Sequence, residues 1–238
     1  YEDPMRSDIE LLQALQEKER QKAAAMMARV CSTMLIVAGG NFPDVYPLQE
    51  DSRFFMETLL EQLEDIQMLK PAVAAEVGCG AAPSGVLLSR LLPETVVFGC
   101  DISHTAIGAA AESAAKNKTR LHLARMDLLA AFRPRSVDLL VFLPPYVPTS
   151  AAKLEDALSM ARAKTAACSG IAEATWLWAG GPNGTALVER FLEEDLPRIL
   201  STEGIAFVLF ALASESVDLI ERKSNGMLTA KVVARCND

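Results

Sequence analysis

Residues 76–80, with the sequence EVGCG, form the first segment whose residue types could bind a ligand. They connect an apolar run typical of a buried strand to a pattern typical of a helix. Glycines at such a turn let the backbone approach a ligand closely, and the first amides of the helix then point at that ligand. A dinucleotide-binding motif would need another glycine three residues after Gly80, where the sequence has Pro83. We therefore do not expect NAD at this turn.

Two aspartates stand at the ends of the next strand-like runs. Asp101 follows the run 95–100, and Asp127 follows a shorter run at 121–124. At the carboxyl end of a parallel strand, the Asp101 carboxylate can accept hydrogen bonds from both hydroxyls of a ribose, and the Asp127 side chain can meet the amine of an adenine. These positions predict a ligand that contains a nucleoside. The alternative is that both aspartates only cap the turns that follow them.

A proline pair ends a strongly apolar run. The run covers 137–142, and residues 143–146 after it read LPPY. The two prolines restrict the backbone where the strand is expected to end. A strand-ending turn without a chemical role is the alternative interpretation of this segment.

Alternating strand and helix patterns must bring these three segments together. Because the strand-like runs are apolar throughout, we expect them to be buried on both faces of a mostly parallel sheet with helices on each side. Ligands bind at the carboxyl ends of the strands in such α/β folds. The predicted strands are 72–77, 95–100, 121–124, 137–142, 205–212 and 228–234, and the predicted helices are 7–27, 54–69, 85–92, 105–116, 152–167, 185–200 and 216–223.

Composition narrows the classes of partner. The 238 residues are 50% apolar and 23% charged, which supports one large domain or one domain with an appendage. The net charge is −8 and the chain has no basic run, whereas nucleic-acid-binding proteins usually present a basic face. We therefore consider a nucleic-acid substrate unfavoured. No apolar run reaches the roughly 20 residues of a membrane-spanning helix, so we also expect no membrane partner.

Cysteine and histidine positions argue against a metal site. The chain has 5 cysteines without a CxxC pair and only 2 histidines, whereas metal sites need clustered ligands. Scattered cysteines are typical of reduced thiols, so we expect a cytoplasmic protein, with the nucleus as a second location. Because the sequence begins at Tyr1 rather than at a methionine, we expect the native chain to begin earlier.

The order of the glycine turn, Asp101 and Asp127 resembles the class I S-adenosylmethionine-dependent methyltransferases. That resemblance implies a Rossmann-like fold with a mostly parallel seven-stranded sheet and S-adenosylmethionine as cofactor. It implies that the glycines pass the methionine portion, that Asp101 holds the ribose, and that Asp127 with Leu128 frames the adenine. Glu76 would lie beneath the cofactor. The cofactor-binding residues implied are Ser52, Glu76, Gly78, Gly80, Asp101, Asp127 and Leu128.

Two flanking segments resemble a narrower family, the eukaryotic HemK-like enzymes that methylate the glutamine of the Gly-Gly-Gln loop in class 1 translation release factors. Residues 45–52, VYPLQEDS, are similar to that family's YEPAEDT segment, and Ser52 takes the place of a cofactor-contacting threonine. Residues 178–184, WAGGPNG, are similar to its WAGGxxG segment. The resemblance runs from about 45 to 234 and implies protein glutamine methylation, with lysine or adenine methylation as alternatives.

The LPPY segment departs from that family's NPPY motif. In the motif, the asparagine oxygen and the carbonyl of the next proline accept hydrogen bonds from the substrate amine, and the tyrosine packs beside it. Leu143 cannot accept such a bond, and the loss of one preorganised contact costs on the order of 3 kcal/mol, or about 10²-fold in rate. We therefore keep three hypotheses: a slower enzyme, an enzyme with another substrate, and a cofactor-binding scaffold without catalysis. The catalytic segment implied is Leu143, Pro144, Pro145 and Tyr146.

The resemblance also predicts the domain organisation and a partner. We expect an N-terminal helical extension at 1–40 and a methyltransferase domain at 41–238. Within it, 146–178 is longer than the family's connection and contains a helical insertion, which is either a lid or partner surface or an inert addition. The implied partner is a small zinc-ribbon activator protein that covers an apolar strip at about 121–129 and forms a heterodimer. The implied substrate is a class 1 release factor.

Overall fold

The computed structural model describes residues 42–163, 174–210 and 216–235. The predicted helix 7–27 and the whole of the predicted extension 1–40 lie outside these residues. Within them, no helix is both long and apolar enough to cross a membrane.

Helices and strands alternate from the first described element onward. The helices are α1 (Glu50–Glu61), α2 (Leu63–Leu69), α3 (Pro83–Leu91), α4 (His104–Asn117), α5 (Ala151–Arg162), α6 (Ala186–Arg190), α7 (Leu196–Ile199) and α8 (Ser216–Lys223). The strands are β1 (Val73–Val77), β2 (Val96–Asp101), β3 (His122–Arg125), β4 (Val137–Phe142), β5 (Val147–Pro148), β6 (Ala179–Gly181) and β7 (Leu200–Val208). A π-helical turn (Phe191–Asp195) joins α6 to α7, and short 3₁₀ turns cover Thr175–Leu177 and Pro182–Gly184.

The main sheet is parallel, as the sequence predicted. Its strand order is β3-β2-β1-β4-β7, and each neighbouring pair is parallel. Side chains alternate between the two faces along a strand, so Leu139 packs with α1, α2 and α3 while Leu140 packs with α6, α7 and α8. Both faces of β4 are therefore covered. The predicted α/β fold with helices on each side is confirmed.

The number of strands differs from the prediction. In the described residues the main sheet has five strands instead of seven, and the predicted closing strand 228–234 forms no ladder. Val232 and Val233 are 39% and 37% exposed. β-branched residues favour strands only where a neighbouring edge accepts their hydrogen bonds. Residues 228–234 have a strand-like composition, but no strand of the described sheet pairs with them.

Other boundaries were also imprecise. The single helix predicted at 54–69 is two helices, because Gln62 leaves helical geometry between α1 and α2. The strand predicted at 205–212 is β7, which begins at Leu200. The two-stranded sheet of β5 and β6 was not predicted.

The predicted insertion helix is present as α5. Ser150 caps its first turn by accepting a hydrogen bond from the Lys153 amide at 3.2 Å. The helix ends at Arg162, and residues 164–167 of the predicted helix lie outside the described residues. Its buried positions, Ala157 and Ala161, are small, so α5 packs closely on the rest of the domain.

We expect Gly184 to be essential for the packing of β6 against β5. Its φ is +74°, and an added Cβ would lie 2.1 Å from the carbonyl oxygen of Tyr146. Gly226 is a matched control, because its φ is +72° and nothing lies within 4 Å of an added Cβ. Gly226→Ala should cost about 1 kcal/mol for the left-handed backbone. Gly184→Ala should cost a further ~1–3 kcal/mol for overpacking, measured by urea unfolding. Equal losses in both variants would contradict this close approach.

Candidate functional site

One cavity lies at the carboxyl ends of the parallel strands. Every residue that the sequence analysis selected lines it, so residues from position 52 to position 146 converge on one place. The convergence follows from topology, because β1, β2 and β4 are parallel and their carboxyl ends share an edge of the sheet. The selected residues are Ser52, Glu76, Gly78, Gly80, Asp101, Asp127, Leu128, Leu143, Pro144, Pro145 and Tyr146.

Glu76 fixes the glycine turn from below. Its carboxylate accepts hydrogen bonds from the backbone amides of Ser84 at 3.1 Å and Gly85 at 2.7 Å, in the first turn of α3. A carboxylate is stabilised at the N-terminus of a helix. Only glycine fits at position 85, because an added Cβ would lie 2.9 Å from Glu76 Oε2. Glu76 therefore joins the end of β1 to the start of α3.

The environment of Glu76 shifts its ionisation. The side chain is 6% exposed, and burial raises its pKa to about 7 although the amides of Gly85 and Ser84 lower it. The folded state therefore holds this proton over a pH range in which the unfolded state has released it.

Asp101 holds the other side of the same turn. Its Oδ2 accepts a hydrogen bond from the Gly80 amide at 2.9 Å, and its Oδ1 accepts one from the Ser103 amide at 2.8 Å. Burial raises the pKa of Asp101, and these amides partly counter that effect. The capping role is real, yet it does not exclude ligand binding. A carboxylate has about four acceptor positions, and the amides of Ser103, Gly80 and Ile102 leave Asp101 one for a ligand hydroxyl.

Asp127 has partners that the sequence did not reveal. Its Oδ2 accepts a hydrogen bond from Arg162 at 2.8 Å, and its Oδ1 is paired with Arg190. Partial burial raises the pKa of Asp127, but the two guanidinium groups outweigh burial and leave the pKa below its usual value. Both oxygens are thus engaged by arginines from α5 and α6, so an adenine amine would have to share them. The arginines are distant in sequence from Asp127, and no local pattern indicated them.

Helix α5 and the segment after it form one wall of the cavity. Leu158 of α5 lines the cavity together with residues 176–178. The guanidinium of Arg125 donates a hydrogen bond to the Arg162 carbonyl at 2.6 Å, which holds the end of α5 to β3. At the other end of α5, the Lys153 ammonium lies 4.6 Å from the centre of a Trp178 ring. The insertion is therefore part of the site and not a separate surface feature.

The fourth strand end places an aromatic and acidic group beside the prolines. Leu143 is partly buried and packs against the apolar cluster beneath α1. The hydroxyl groups of Tyr146 and Tyr46 both donate hydrogen bonds to Asp51 Oδ2, at 2.9 and 3.0 Å. Sequence analysis selected neither Asp51 nor Tyr46, although both lie in the segment 45–52 that carried the family resemblance.

The tyrosine hydroxyls remain protonated at neutral pH. Burial raises the pKa of Tyr146 to about 12, with the Asp51 carboxylate adding to the shift. Burial and Asp51 also raise the pKa of Tyr46 well above its usual range. Neither tyrosine can therefore act as a phenolate base near neutral pH.

Within the described residues, no group of three or more His, Cys, Asp or Glu side chains could hold a metal ion.

We expect the stability contributed by Glu76 to depend on pH. A carboxyl group whose pKa is about 7 in the folded state and 4.5 in its ordinary state binds more protons when folded. Unfolding then releases a proton between these values, so the free energy of unfolding falls as pH rises from about 4.5 to about 7. Glu76→Gln cannot titrate and should lack this contribution. Measured by urea unfolding, the unfolding free energy of the wild type minus that of Glu76→Gln should fall as pH rises across this range. A constant difference would contradict the assignment.

Comparison with known proteins identifies similar sequences. The model of the family described as methyltransferase small domain matches residues 48–167. The chain is 27% identical over 204 residues to human "Methyltransferase HEMK2", covering 84% of this chain and 87% of that protein. It is 29% identical over 194 residues to "eRF1 methyltransferase catalytic subunit mtq2" of Schizosaccharomyces pombe, covering 75% and 77%. A "Release factor glutamine methyltransferase" of Moorella thermoacetica is 33% identical over 111 residues, covering 46% and 38%.

A solved structure supports the fold. The chain aligns with the Thermus thermophilus 16S rRNA N2 G1207 methyltransferase, solved in complex with AdoMet and guanosine, at a TM-score of 0.50. Identity is 14%, and the alignment covers 75% of this chain and 41% of the other. At that identity the likeness concerns the fold alone.

Proposed function

Because this chain belongs to the methyltransferase small domain family, we propose that it transfers a methyl group from S-adenosylmethionine to a side-chain amide nitrogen of a protein. The observation that carries the proposal is a single cavity lined by the glycine turn, Asp101 and the Pro144-Pro145-Tyr146 segment. The turn and Asp101 suit a cofactor with a ribose, and the proline segment suits a planar amino group.

The residues of the cavity fit S-adenosylmethionine. When bound, this cofactor supplies a methyl group activated by a positively charged sulfur. The cavity is lined by the carboxyl groups of Asp51, Glu76 and Asp101, whose ionised forms favour a cationic ligand. Asp101 has an acceptor position left for a ribose hydroxyl. Leu128 and Asp127 would lie at the adenine, with Arg162 and Arg190 sharing the Asp127 carboxylate.

The glutamine of the Gly-Gly-Gln loop of a class 1 release factor is the substrate we infer. Support comes from two relatives, the eRF1 methyltransferase catalytic subunit of a yeast and a bacterial release factor glutamine methyltransferase. Pro144 lines the cavity, and its carbonyl oxygen is an acceptor for one amide proton. Orientation of a poor nucleophile is a large part of the rate that such a site can supply.

A cofactor-binding protein with little catalysis is the second candidate. Leu143 favours it, because the motif's asparagine acceptor is absent. The two candidates share the cofactor-binding half of the cavity and differ only in turnover. Lysine methylation is a further alternative. The net charge of −8 disfavours adenine methylation in nucleic acid.

A methyl-transfer assay tests the proposed function. Labelled S-adenosylmethionine should transfer its label to the matching release factor, and replacement of the loop glutamine should abolish incorporation. Asp101→Asn should weaken cofactor binding by about 10-fold or more, because it weakens charge-assisted hydrogen bonds. Glu94→Gln removes a charge from an exposed position before β2 and serves as the control. Normal cofactor binding by calorimetry without any incorporation would favour the second candidate.

The partner we propose is a small zinc-ribbon activator on the outer edge of β3. This strand is at the edge of the described sheet, and its residues are exposed or partly exposed. Unpaired edges with apolar neighbours favour association with another chain. Co-expression with an activator of this type should raise the soluble yield and give a heterodimer by size-exclusion chromatography. A soluble monomer that does not bind the activator would argue against this partner.

We also propose a cytoplasmic location, with the nucleus as a second location.

A further inference from the structure

We propose that Asp51 positions the substrate amide by holding the hydroxyl groups of Tyr46 and Tyr146 as hydrogen-bond acceptors, which replace the acceptor that Leu143 lacks. The inference rests on the proposed function, since it concerns how that same cavity receives an amide nitrogen. The three residues line the cavity together with Leu143.

The hydrogen bonds of Asp51 fix which way each group points. Its Oδ2 accepts from both tyrosine hydroxyls, and its Oδ1 accepts from the amide of Ser52 at 2.6 Å and from the Ser52 hydroxyl at 3.2 Å. These four donors match the roughly four acceptor positions of a carboxylate. The carboxylate is therefore fully satisfied and cannot rotate without losing partners.

Those contacts determine whether each tyrosine hydroxyl group can donate or accept a further hydrogen bond. A hydroxyl group has one proton to donate and two lone pairs to accept with. Tyr46 and Tyr146 both give their protons to Asp51 and also contact each other, so a phenolic oxygen here can offer another group in the cavity only its remaining lone pair. Their raised pKa values keep these protons in place at neutral pH. The site thus presents neutral acceptors, and not bases, beside the proline segment.

An amide nitrogen needs two acceptors in such a site. One N–H can donate to the carbonyl oxygen of Pro144, and Leu143 offers nothing to the second. A tyrosine oxygen held by Asp51 can take that second N–H. The roles are then divided: the tyrosine touches the substrate, and Asp51 acts through the tyrosine as a positioning residue.

A double-mutant cycle between positions 51 and 143 tests the proposal. In Asp51→Asn the side-chain oxygen must still accept from the Ser52 amide, so the NH₂ group turns toward the tyrosines and occupies their lone pairs. We expect kcat for release-factor methylation to fall about 10-fold to 100-fold, with cofactor affinity unchanged. Leu143→Asn restores a direct acceptor and should rescue most of this loss. The effect of Asp51→Asn should therefore be much smaller in the Leu143→Asn background.

Matched variants separate positioning from stability. Glu50→Gln removes a charge from the same exposed first turn of α1 and should leave kcat unchanged. Tyr46→Phe and Tyr146→Phe remove the acceptors themselves, and at least one of them should reproduce the kcat loss of Asp51→Asn. A role for Asp51 that is only structural predicts the same loss with and without Leu143→Asn, together with a lower melting temperature.

The outcomes distinguish this inference from the proposed function. If Asp51→Asn methylates the release factor as fast as the wild type does, the proposed role of Asp51 is overturned and the proposed function still stands. To separate binding from turnover, the affinity of a Gly-Gly-Gln peptide is measured in the presence of S-adenosylhomocysteine. We expect wild type to bind this peptide and Asp51→Asn to bind it at least about 10-fold more weakly, which corresponds to about 1.4 kcal/mol. Wild type that binds cofactor but neither binds nor methylates the substrate overturns the proposed function, and the inference with it.

Discussion

The buried carboxylate of Glu76 is the constraint on which the cavity depends. It ends β1 and accepts hydrogen bonds from the first amides of α3, so the strand, the glycine turn and the helix form one unit. Asp101 closes the same turn from the neighbouring strand through the Gly80 amide. Both carboxylates are desolvated, and backbone amides supply their compensation. The turn is thereby held by hydrogen bonds within the protein, without any contact to a ligand.

Sequence reasoning recovered the fold because each strong signal was local. Short apolar runs such as 137–142 favour buried strands, and their alternation with helices implies parallel pairing. The strand ends then placed Asp101 and Tyr146 in one cavity without further information. The prediction was wrong at 228–234, where strand composition is present but no neighbouring edge pairs with it. Composition describes a preference, whereas pairing depends on the rest of the molecule.

The missed residues share a different property. Arg162 and Arg190 act through Asp127, and Asp51 acts in part through Tyr146 of another element. No local sequence pattern indicates these contacts. Long-range side-chain contacts of this kind are set by the packing of helices on the sheet. These long-range contacts change the interpretation of Leu143. An absent acceptor is a local loss, but the surrounding aromatic and acidic groups decide what that loss means for the site.

Asp127 pairs with Arg162 and with Arg190, one arginine from each of two helices that are far apart in the sequence. Glu155 of α5 is a second acidic partner of Arg162, at 3.8 Å, so two carboxylates face two guanidinium groups. The Asp127 carboxylate therefore lies between Arg162 of α5 and Arg190 of α6 and offsets their mutual repulsion. A change that removes the carboxylate at position 127 would therefore weaken the attachment of α5 as well as alter the cavity, so the helix and the cavity cannot be varied independently.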